Sequence, residues 1–273
     1  MADCGYNAAR TYLTEALTMH AHSLKAVITG GASGLGLAVA GAVVAHGGKV
    51  TLLDIQHEAG MSAARSLGDQ AAFIDCDVTD EQNVTNAVRE AHHRMGGLNL
   101  VVNCAGIVGA GKLLNKDGTM QSAFFSKVVA INLIGTFNTD KASAELMQRN
   151  EANAEGERGL IIHTASVAAY EGQIGQIAYA ATKAGVIGLV LPMARELARF
   201  GIRVMAIAPG IFETPMVAGM TPELQASLGA QVPFPARLGR PSEFADLVMS
   251  IAANPMLNGE TIRLDGAIRM QPR

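Results

Sequence analysis

The sequence has no tryptophan, three cysteines and little charge, and each scarcity excludes a class of protein. Charged residues make up 16% and hydrophobic residues 49% of the 273 residues, which excludes an intrinsically disordered chain. The formal net charge is −3, and lysine and arginine do not cluster in the sequence. We therefore expect that the protein binds neither nucleic acid nor an anionic membrane surface. Cys4, Cys76 and Cys104 are too few and too scattered for a disulfide framework or a zinc site, so we expect no metal.

Long apolar runs are also missing. The most apolar region, Gly185–Ala194, is too short to cross a bilayer and contains Pro192, so we expect no membrane partner. Residues 1–24 lack the basic segment and the apolar segment of a secretory signal. We interpret residues 1–22 as an extension of unknown role and residues 23–273 as a single domain. The expected compartment is reducing: the cytoplasm, or the mitochondrial matrix if the chain is eukaryotic.

Short apolar segments alternate with helical patterns along the chain. The predicted strands are Lys25–Thr29, Val50–Asp54, Ala72–Asp75, Leu98–Asn103, Gly159–Thr164, Arg203–Ala206 and Thr261–Leu264. The predicted helices are Gly34–His46, His57–Leu67, Glu81–Met95, Met120–Asn150, Ile177–Phe200, Pro222–Leu228 and Ser242–Ala253. Continuously apolar strands with crossover helices are typical of the α/β Rossmann fold, a doubly wound and mainly parallel seven-stranded sheet with helices on both faces. Between Pro209 and Pro241 we expect a loop with a short helix.

A glycine-rich turn, TGGASGLG, joins the first predicted strand to the first predicted helix. Gly30, Gly34 and Gly36 let backbone amides approach a pyrophosphate, and the helix N-terminus adds a favourable dipole. Ser33 and Leu35 lie between these glycines and are expected to contact the same group. Glycines also serve tight turns that bind nothing, but the position at the first strand–helix junction favours a dinucleotide.

Asp54 ends the second predicted strand, 18 residues after Gly36. An acidic side chain at this place hydrogen-bonds the adenosine ribose hydroxyls and repels a 2′-phosphate. Ala32 occupies a loop position where an NADP enzyme could place a basic residue. These residues favour NAD as the cofactor over NADP. The alternative is that Asp54 caps the next helix.

Tyr179 and Lys183 are four residues apart in a helical pattern and therefore share one helix face. A free phenol is a poor base at neutral pH, and a nearby ammonium is expected to lower its pKa. Tyr179 could then take an alcohol proton as hydride leaves. Ser166 follows a predicted strand and could hold the substrate oxygen, although a turn serine would have the same pattern. Asn132 lies in a helical pattern that asparagine disfavours, for a functional reason or as a tolerated polar residue.

In this order the motifs resemble the short-chain dehydrogenase/reductase family over residues 25–266. The resemblance implies a catalytic tetrad of Asn132, Ser166, Tyr179 and Lys183. In that scheme Asn132 supports a proton-relay water and Lys183 also holds the nicotinamide ribose. The resemblance also implies cofactor contacts from Asp77 and Val78 at the adenine, from Asn103, Ala105 and Gly106 along the cofactor, and from Pro209, Gly210 and Thr214 near the nicotinamide.

A closer similarity, in residues 164–216, 231–239 and 254–272, is to the type II 3-hydroxyacyl-CoA dehydrogenases, also known as type 10 17β-hydroxysteroid dehydrogenases. The segment Gly109–Gln121 is similar to the insertion of that subgroup, although it is shorter and differently composed. The similarity implies NAD-linked oxidation of short or branched 3-hydroxyacyl-CoA, with Gln176 in the substrate site. It also implies a homotetramer.

Two alternatives stay open at this point. One is a dehydrogenase for hydroxysteroids or small secondary alcohols. The other is a non-catalytic NAD-binding scaffold, since fold alone does not dictate function.

Overall fold

We describe the fold from a computed structural model of the chain, for residue 19, residues 21–116 and residues 118–272. Within these residues, seven strands form one sheet: β1 (Lys25–Thr29), β2 (Lys49–Asp54), β3 (Ala71–Asp75), β4 (Leu100–Asn103), β7 (Gly159–Thr164), β8 (Ile202–Pro209) and β9 (Thr261–Leu264). A separate two-stranded hairpin consists of β5 (Leu114–Asn115) and β6 (Gly118–Thr119). The large sheet has the order β3-β2-β1-β4-β7-β8-β9, and every pairing in it is parallel.

Helices connect the parallel strands. In chain order they are α1 (Gly34–Ala45), α2 (His57–Leu67), α3 (Glu81–Met95), α4 (Ser122–Val129), α5 (Gly135–Met147), α6 (Ile177–Leu197), α7 (Pro215–Ala218), α8 (Pro222–Ala230) and α9 (Pro241–Ala253). A π-helical turn, Ala130–Ile134, joins α4 to α5. Short 3₁₀ turns lie at Ala21–Ser23, Val167–Ala169 and Ala198–Phe200.

The sheet has a hydrophobic core on each face. Helices α1, α2 and α9 pack on one face, where Val43 and Phe244 are completely buried. Helices α3, α5 and α6 pack on the other face, around residues such as Val88 and Met147. Because both faces are covered, the strands are buried on both sides, which explains their continuous apolar character. The predicted doubly wound α/β architecture is confirmed.

Several predicted boundaries were wrong. Strand β8 extends from Ile202 to Pro209 because residues 206–209 pair with β9, whereas the apolar pattern suggested an end at Ala206. The single helix predicted for Met120–Asn150 is interrupted by the π-helical turn and ends at Met147. Between Pro209 and Pro241 the one predicted short helix is present as α8 and ends two residues later than predicted, and the loop contains a second helix, α7, that was not predicted.

The predicted N-terminal extension, residues 1–22, lies largely outside the described residues. Within it, Met19 is buried and packs in the core on the α1 side of the sheet. We expected no apolar stretch long enough to cross a bilayer, but the helical segment Ile177–Phe200, with a mean hydropathy of 1.5, could do so by length and composition. In this fold it packs on β8 as a helix of the α/β layer.

Candidate active site

A cleft of about 660 Å³ opens at the carboxyl ends of the strands, where the order reverses between β1 and β4. Open α/β sheets bind their ligands at this topological switch point. Predicted site residues from distant parts of the chain line this cleft. It is lined by Gly30, Ser33, Gly34, Leu35, Gly36, Asp54, Asp77, Val78, Ala105, Gly106, Ser166, Gln176, Tyr179, Lys183, Pro209, Gly210 and Thr214.

The glycine-rich turn is shaped by close backbone contacts. Gly30 has a φ of +64°, and a Cβ at this residue would lie 2.7 Å from the backbone nitrogen of Ala105. A Cβ on Gly36 would lie 2.4 Å from the carbonyl oxygen of Gly30. The turn therefore needs glycine for its own conformation. The result is a bare backbone before the N-terminus of α1, a surface that suits a phosphate group.

Asp54 presents a fixed carboxylate at the end of β2. Its Oδ2 accepts a hydrogen bond from the Ala32 amide at 3.1 Å, and its Oδ1 accepts one from the Gln56 amide at 3.0 Å. Helix α2 begins at His57, and Gln56 occupies the position before it, so Asp54 is not the capping residue of that helix. Its position on the cleft wall is the one expected of a group that binds ribose hydroxyls.

Asp77 and Val78 line the same end of the cleft, after β3. The Asp77 carboxylate accepts hydrogen bonds from the amide and the hydroxyl of Thr79, at 2.9 and 2.7 Å. Val78 packs against α5, where a Cβ on Gly135 would lie only 2.6 Å from its side chain. These contacts fix the backbone of both residues beside the cleft.

Lys183 and Tyr179 both line the cleft and lie close to each other. The Lys183 Nζ donates a hydrogen bond to the carbonyl oxygen of Thr164 at 2.6 Å and lies 5.7 Å from the centre of the Tyr179 ring. Burial lowers the pKa of Lys183 from 10.5 to about 8, because a desolvated ammonium is disfavoured. Ser166, whose Oγ accepts a hydrogen bond from the Ala168 amide at 3.1 Å, also hydrogen-bonds Tyr179.

The protonation of Tyr179 differs from the expectation. Burial raises the pKa of its phenol, and the hydrogen bond from Ser166 lowers it by less. We expected the Lys183 ammonium to lower the pKa of this phenol. In the protein chain alone, desolvation of the phenolate has the largest effect and raises the pKa instead. Tyr179 is therefore a protonated phenol at neutral pH in the protein chain alone.

Asn132 and Asn103 lie outside the lining of the cleft. Asn132, in the π-helical turn, is completely buried; its Oδ1 accepts from the Ile107 amide at 2.9 Å, and its Nδ2 donates to the Ile107 carbonyl oxygen at 2.9 Å. It thus fixes the backbone next to Gly106. The Asn103 side chain donates a hydrogen bond to the buried Asp140 Oδ1 at 2.7 Å.

The remaining predicted residues, Pro209, Gly210, Thr214 and Gln176, also line the cleft, and the contacts with nicotinamide and substrate that the resemblance implies for them stay predictions. Pro209 and Gly210 end β8, and Thr214 precedes α7. Gln176 precedes α6 and is held by Gln173, whose amide donates to the Gln176 Oε1 at 3.1 Å. Among the described residues, no group of three or more histidine, cysteine or acidic side chains is placed to hold a metal ion.

The structure adds residues that the sequence did not single out. The Thr164 carbonyl oxygen and the Ile107 backbone act through main-chain atoms, which carry no residue-type signal. Met270 and Gln173 also line the cleft, and Met270 comes from the end of the chain. Its place depends on how residues 265–272 fold back, which a local pattern does not reveal.

Comparison with known proteins supports the resemblance to the short-chain dehydrogenases. A family model described as short chain dehydrogenase matches residues 24–225. The chain belongs to the short-chain dehydrogenase family. It is 51% identical over 251 residues to 3-hydroxyacyl-CoA dehydrogenase type-2 of Homo sapiens, covering 91% of this chain and 96% of the relative. It is 49% identical over 248 residues to the protein of the same name from Drosophila melanogaster, covering 90% of this chain and 97% of the relative.

A solved structure agrees with this assignment. The crystal structure of 3-hydroxyacyl-CoA dehydrogenase type-2 from Mycobacterium avium has a TM-score of 0.86 and 41% sequence identity, and the match covers 91% of this chain and 96% of that one. As a short-chain dehydrogenase the protein is an oxidoreductase that works with a nicotinamide cofactor. The non-catalytic scaffold is therefore not supported.

Proposed function

We propose that this short-chain dehydrogenase oxidises short or branched 3-hydroxyacyl-CoA to 3-ketoacyl-CoA with NAD. The observation that carries the proposal is the similarity to 3-hydroxyacyl-CoA dehydrogenases over more than nine-tenths of the length of the relatives. A cleft with a phenol, a serine hydroxyl and a lysine beside apolar walls suits a substrate with one secondary alcohol and an apolar chain. The expected partner is thus a small molecule.

The residues present fit a dinucleotide. The bare glycine turn would receive the pyrophosphate, and Asp54, whose carboxylate is already held by two backbone amides, would receive the ribose hydroxyls. A carboxylate at that place repels a 2′-phosphate, which supports NAD over NADP. When bound, the cofactor supplies the two-electron acceptor or donor for the carbon that carries the alcohol.

The chain supplies the proton chemistry. In the reductive direction the Tyr179 phenol, kept protonated by burial, donates its proton to the ketone oxygen. Ser166 is fixed by the Ala168 amide and holds the same oxygen. In the oxidative direction Tyr179 takes the proton from the alcohol. A positive charge on Lys183 favours that step, because it stabilises the phenolate.

We also propose a homotetramer in the cytoplasm, or in the mitochondrial matrix if the chain is eukaryotic. Large apolar side chains are exposed on α5 and α6 and in the π-helical turn: Phe137 is 48% exposed, Leu191 44% and Ile134 47%. Covering such side chains with a second copy removes apolar surface from water. Light scattering that shows a monomer at micromolar concentration would refute the tetramer.

The test of the proposed function follows absorbance at the NADH band while the full chain acts on acetoacetyl-CoA, with NADPH in parallel. We expect rapid oxidation of NADH and little of NADPH. Tyr179→Phe should lower kcat/KM at least about 100-fold while it still binds NADH. Tyr170→Phe is the matched control, because Tyr170 is 50% exposed and lies outside the cleft lining.

A second panel separates the substrate classes. The same assay with a ketosteroid and with small ketones gives kcat/KM for each. A hundredfold preference for the steroid over acetoacetyl-CoA would overturn the acyl-CoA proposal and favour the hydroxysteroid alternative. A preference for the thioester would support the proposal.

A further inference from the structure

The C-terminal segment, residues 265–272, is tied to the loop that leads to Tyr179. Arg263 forms a bidentate pair with Glu171, with Nη1–Oε1 and Nη2–Oε2 distances of 2.8 and 3.0 Å. The Arg263 Nε also contacts the Asp265 Oδ2 at 2.8 Å. These side chains are less than a quarter exposed, so water screens the pairs only partly. A planar bidentate pair allows little variation in geometry, so this one holds the loop against the end of β9, from which the segment starts.

Further hydrogen bonds run along the segment. Arg263 donates to the carbonyl oxygen of Ile268 at 3.1 Å, and the Ile268 side chain is buried. The Gln173 side chain donates to the Gln271 carbonyl oxygen at 2.9 Å, and the Ile174 amide donates to the Pro272 carbonyl oxygen at 3.0 Å. Met270 is therefore flanked by anchored residues: Gln271 and Pro272 are bonded to the loop that carries Gln173, and Ile268 is bonded to Arg263 of β9.

Between these anchors, Met270 lines the cleft together with Tyr179 and Ser166. The same cleft is lined by apolar side chains from α7, α8 and the segment between them, among them Met220 and Leu228. A substrate whose oxygen lies at Tyr179 must place its carbon chain along apolar walls, because an apolar chain in contact with water is disfavoured. Met270 is the part of that wall held by the C-terminal segment.

We propose that Met270 bounds the space for the acyl chain and so determines which chain lengths and branches are accepted. This inference rests on the proposed function, since it assigns the acyl end of that substrate. Methionine is unbranched and flexible, which suits a wall that adapts to a methyl branch on a short chain. The ion pairs of Arg263 with Glu171 and Asp265 act as the support that keeps this wall in place.

The test measures kcat/KM for 3-ketoacyl-CoA thioesters of four, six and eight carbons with NADH. Met270→Ala should raise the ratio of the eight-carbon to the four-carbon value about tenfold or more, because two or more methylenes gain room. Met270→Phe should lower that ratio. Opposite shifts from opposite size changes do not arise from partial unfolding. Met256→Ala is the matched control, since Met256 is 90% exposed.

A second variant tests whether the ion pair of Arg263 with Glu171 keeps Met270 in place. Glu171→Ala removes the carboxylate that accepts two hydrogen bonds from Arg263. It should shift the length preference in the same direction as Met270→Ala, with an unchanged KM for NADH. A purely structural role would lower activity equally with every chain length. Length ratios within twofold of the wild type in both Met270 variants would overturn the proposal.

The outcome is distinguishable from failure of the proposed function. If the wild type reduces no thioester, the proposed function fails, and the same Met270 variants are measured on straight 2-alkanones of increasing length. A shift in length preference there supports Met270 as the wall of the cleft. Unchanged preference overturns that role.

Discussion

Asp140 and His163 form a pair that is completely buried between α5 and β7. The His163 Nε2 lies 2.9 Å from the Asp140 Oδ2, and both side chains are 0% exposed. The other oxygen of Asp140 accepts a hydrogen bond from Asn103 on β4 at 2.7 Å. One carboxylate thus joins two neighbouring strands whose ends carry residues of the cleft. Neither the His163 Nδ1 nor the Asn103 Oδ1 has a hydrogen-bond partner among the described residues.

We predict that Asp140→Ala lowers the free energy of unfolding by about 3 kcal/mol, because it leaves buried donors without an acceptor. Urea denaturation measures this change. Asp246→Ala, on the exposed face of α9, is the control and should change stability by less than about 0.5 kcal/mol. Equal effects of the two variants would contradict the prediction. A double-mutant cycle with His163→Ala isolates the energy of the pair.

The free energy of unfolding should depend on pH because Lys183 is buried. The pKa of Lys183 is about 8 when folded and 10.5 as its ordinary value, so the unfolded chain binds more protons between these pH values. Below pH 8 Lys183 is charged in both states, and the burial of its ammonium destabilises the folded protein in full. This destabilisation decreases as the pH rises from 8 to 10.5, so the free energy of unfolding increases across that window. The free energy of unfolding of the wild type, relative to that of Lys183→Met, should rise by about 2–3 kcal/mol from pH 7 to pH 10.

Urea denaturation of both proteins at several pH values in that range measures the difference. Ionisable groups that do not interact with Lys183 cancel in the comparison, because they are the same in the two chains. A difference in stability that stays constant with pH would show that Lys183 keeps an ordinary pKa in the folded protein.

The choice of cofactor should depend on Asp54. Asp54→Ala removes the carboxylate that would repel a 2′-phosphate, so the ratio of kcat/KM for NADPH to that for NADH should rise at least about tenfold, equal to about 1.4 kcal/mol. Asp75→Ala, at the end of the neighbouring strand β3 and exposed, is the control. If both variants leave the ratio unchanged, Asp54 does not select the cofactor.

Two glycines of α1 should respond differently to alanine. A Cβ on Gly36 would collide with the Gly30 carbonyl oxygen, whereas a Cβ on Gly41 would make an ordinary contact with Leu67 at 3.8 Å. Gly36→Ala should therefore weaken NADH binding at least about tenfold. Gly41→Ala should leave binding unchanged and stabilise the helix by about 0.5–1 kcal/mol. Fluorescence titration and thermal melting measure the two effects. Equal NADH affinities would contradict the role of Gly36.

The architecture of this protein was predictable from sequence because its determinants are local. The apolar runs of β1, β2 and β7 and the glycine turn after β1 each have a pattern that depends on neighbours in the chain. The spacing of Tyr179 and Lys183 likewise follows from helix geometry. These features were enough to predict the order of the elements, the glycine turn, Asp54 and the pair of Tyr179 with Lys183, whereas the predicted contacts of residues such as Asp77 and Gln176 came from the resemblance to the short-chain dehydrogenases.

What the sequence did not reveal depends on distant contacts. The hairpin β5–β6 has two-residue strands, too short for any periodic pattern. The extension of β8 to Pro209 follows from pairing with β9, more than fifty residues later. The raised pKa of Tyr179 comes from burial by the assembled fold, while the expectation considered only the neighbouring lysine.

The position of β4 in the middle of the sheet has a consequence for synthesis of the protein. Its residues, Leu100–Asn103, pair with β1 on one side and with β7 on the other, and all are buried. A nascent chain that has produced β1 to β4 but not Gly159–Thr164 therefore presents an apolar strand edge with free amides and carbonyls. Such an edge is a template for association with other chains, so we expect the growing chain to need shielding by a chaperone until β7 emerges from the ribosome.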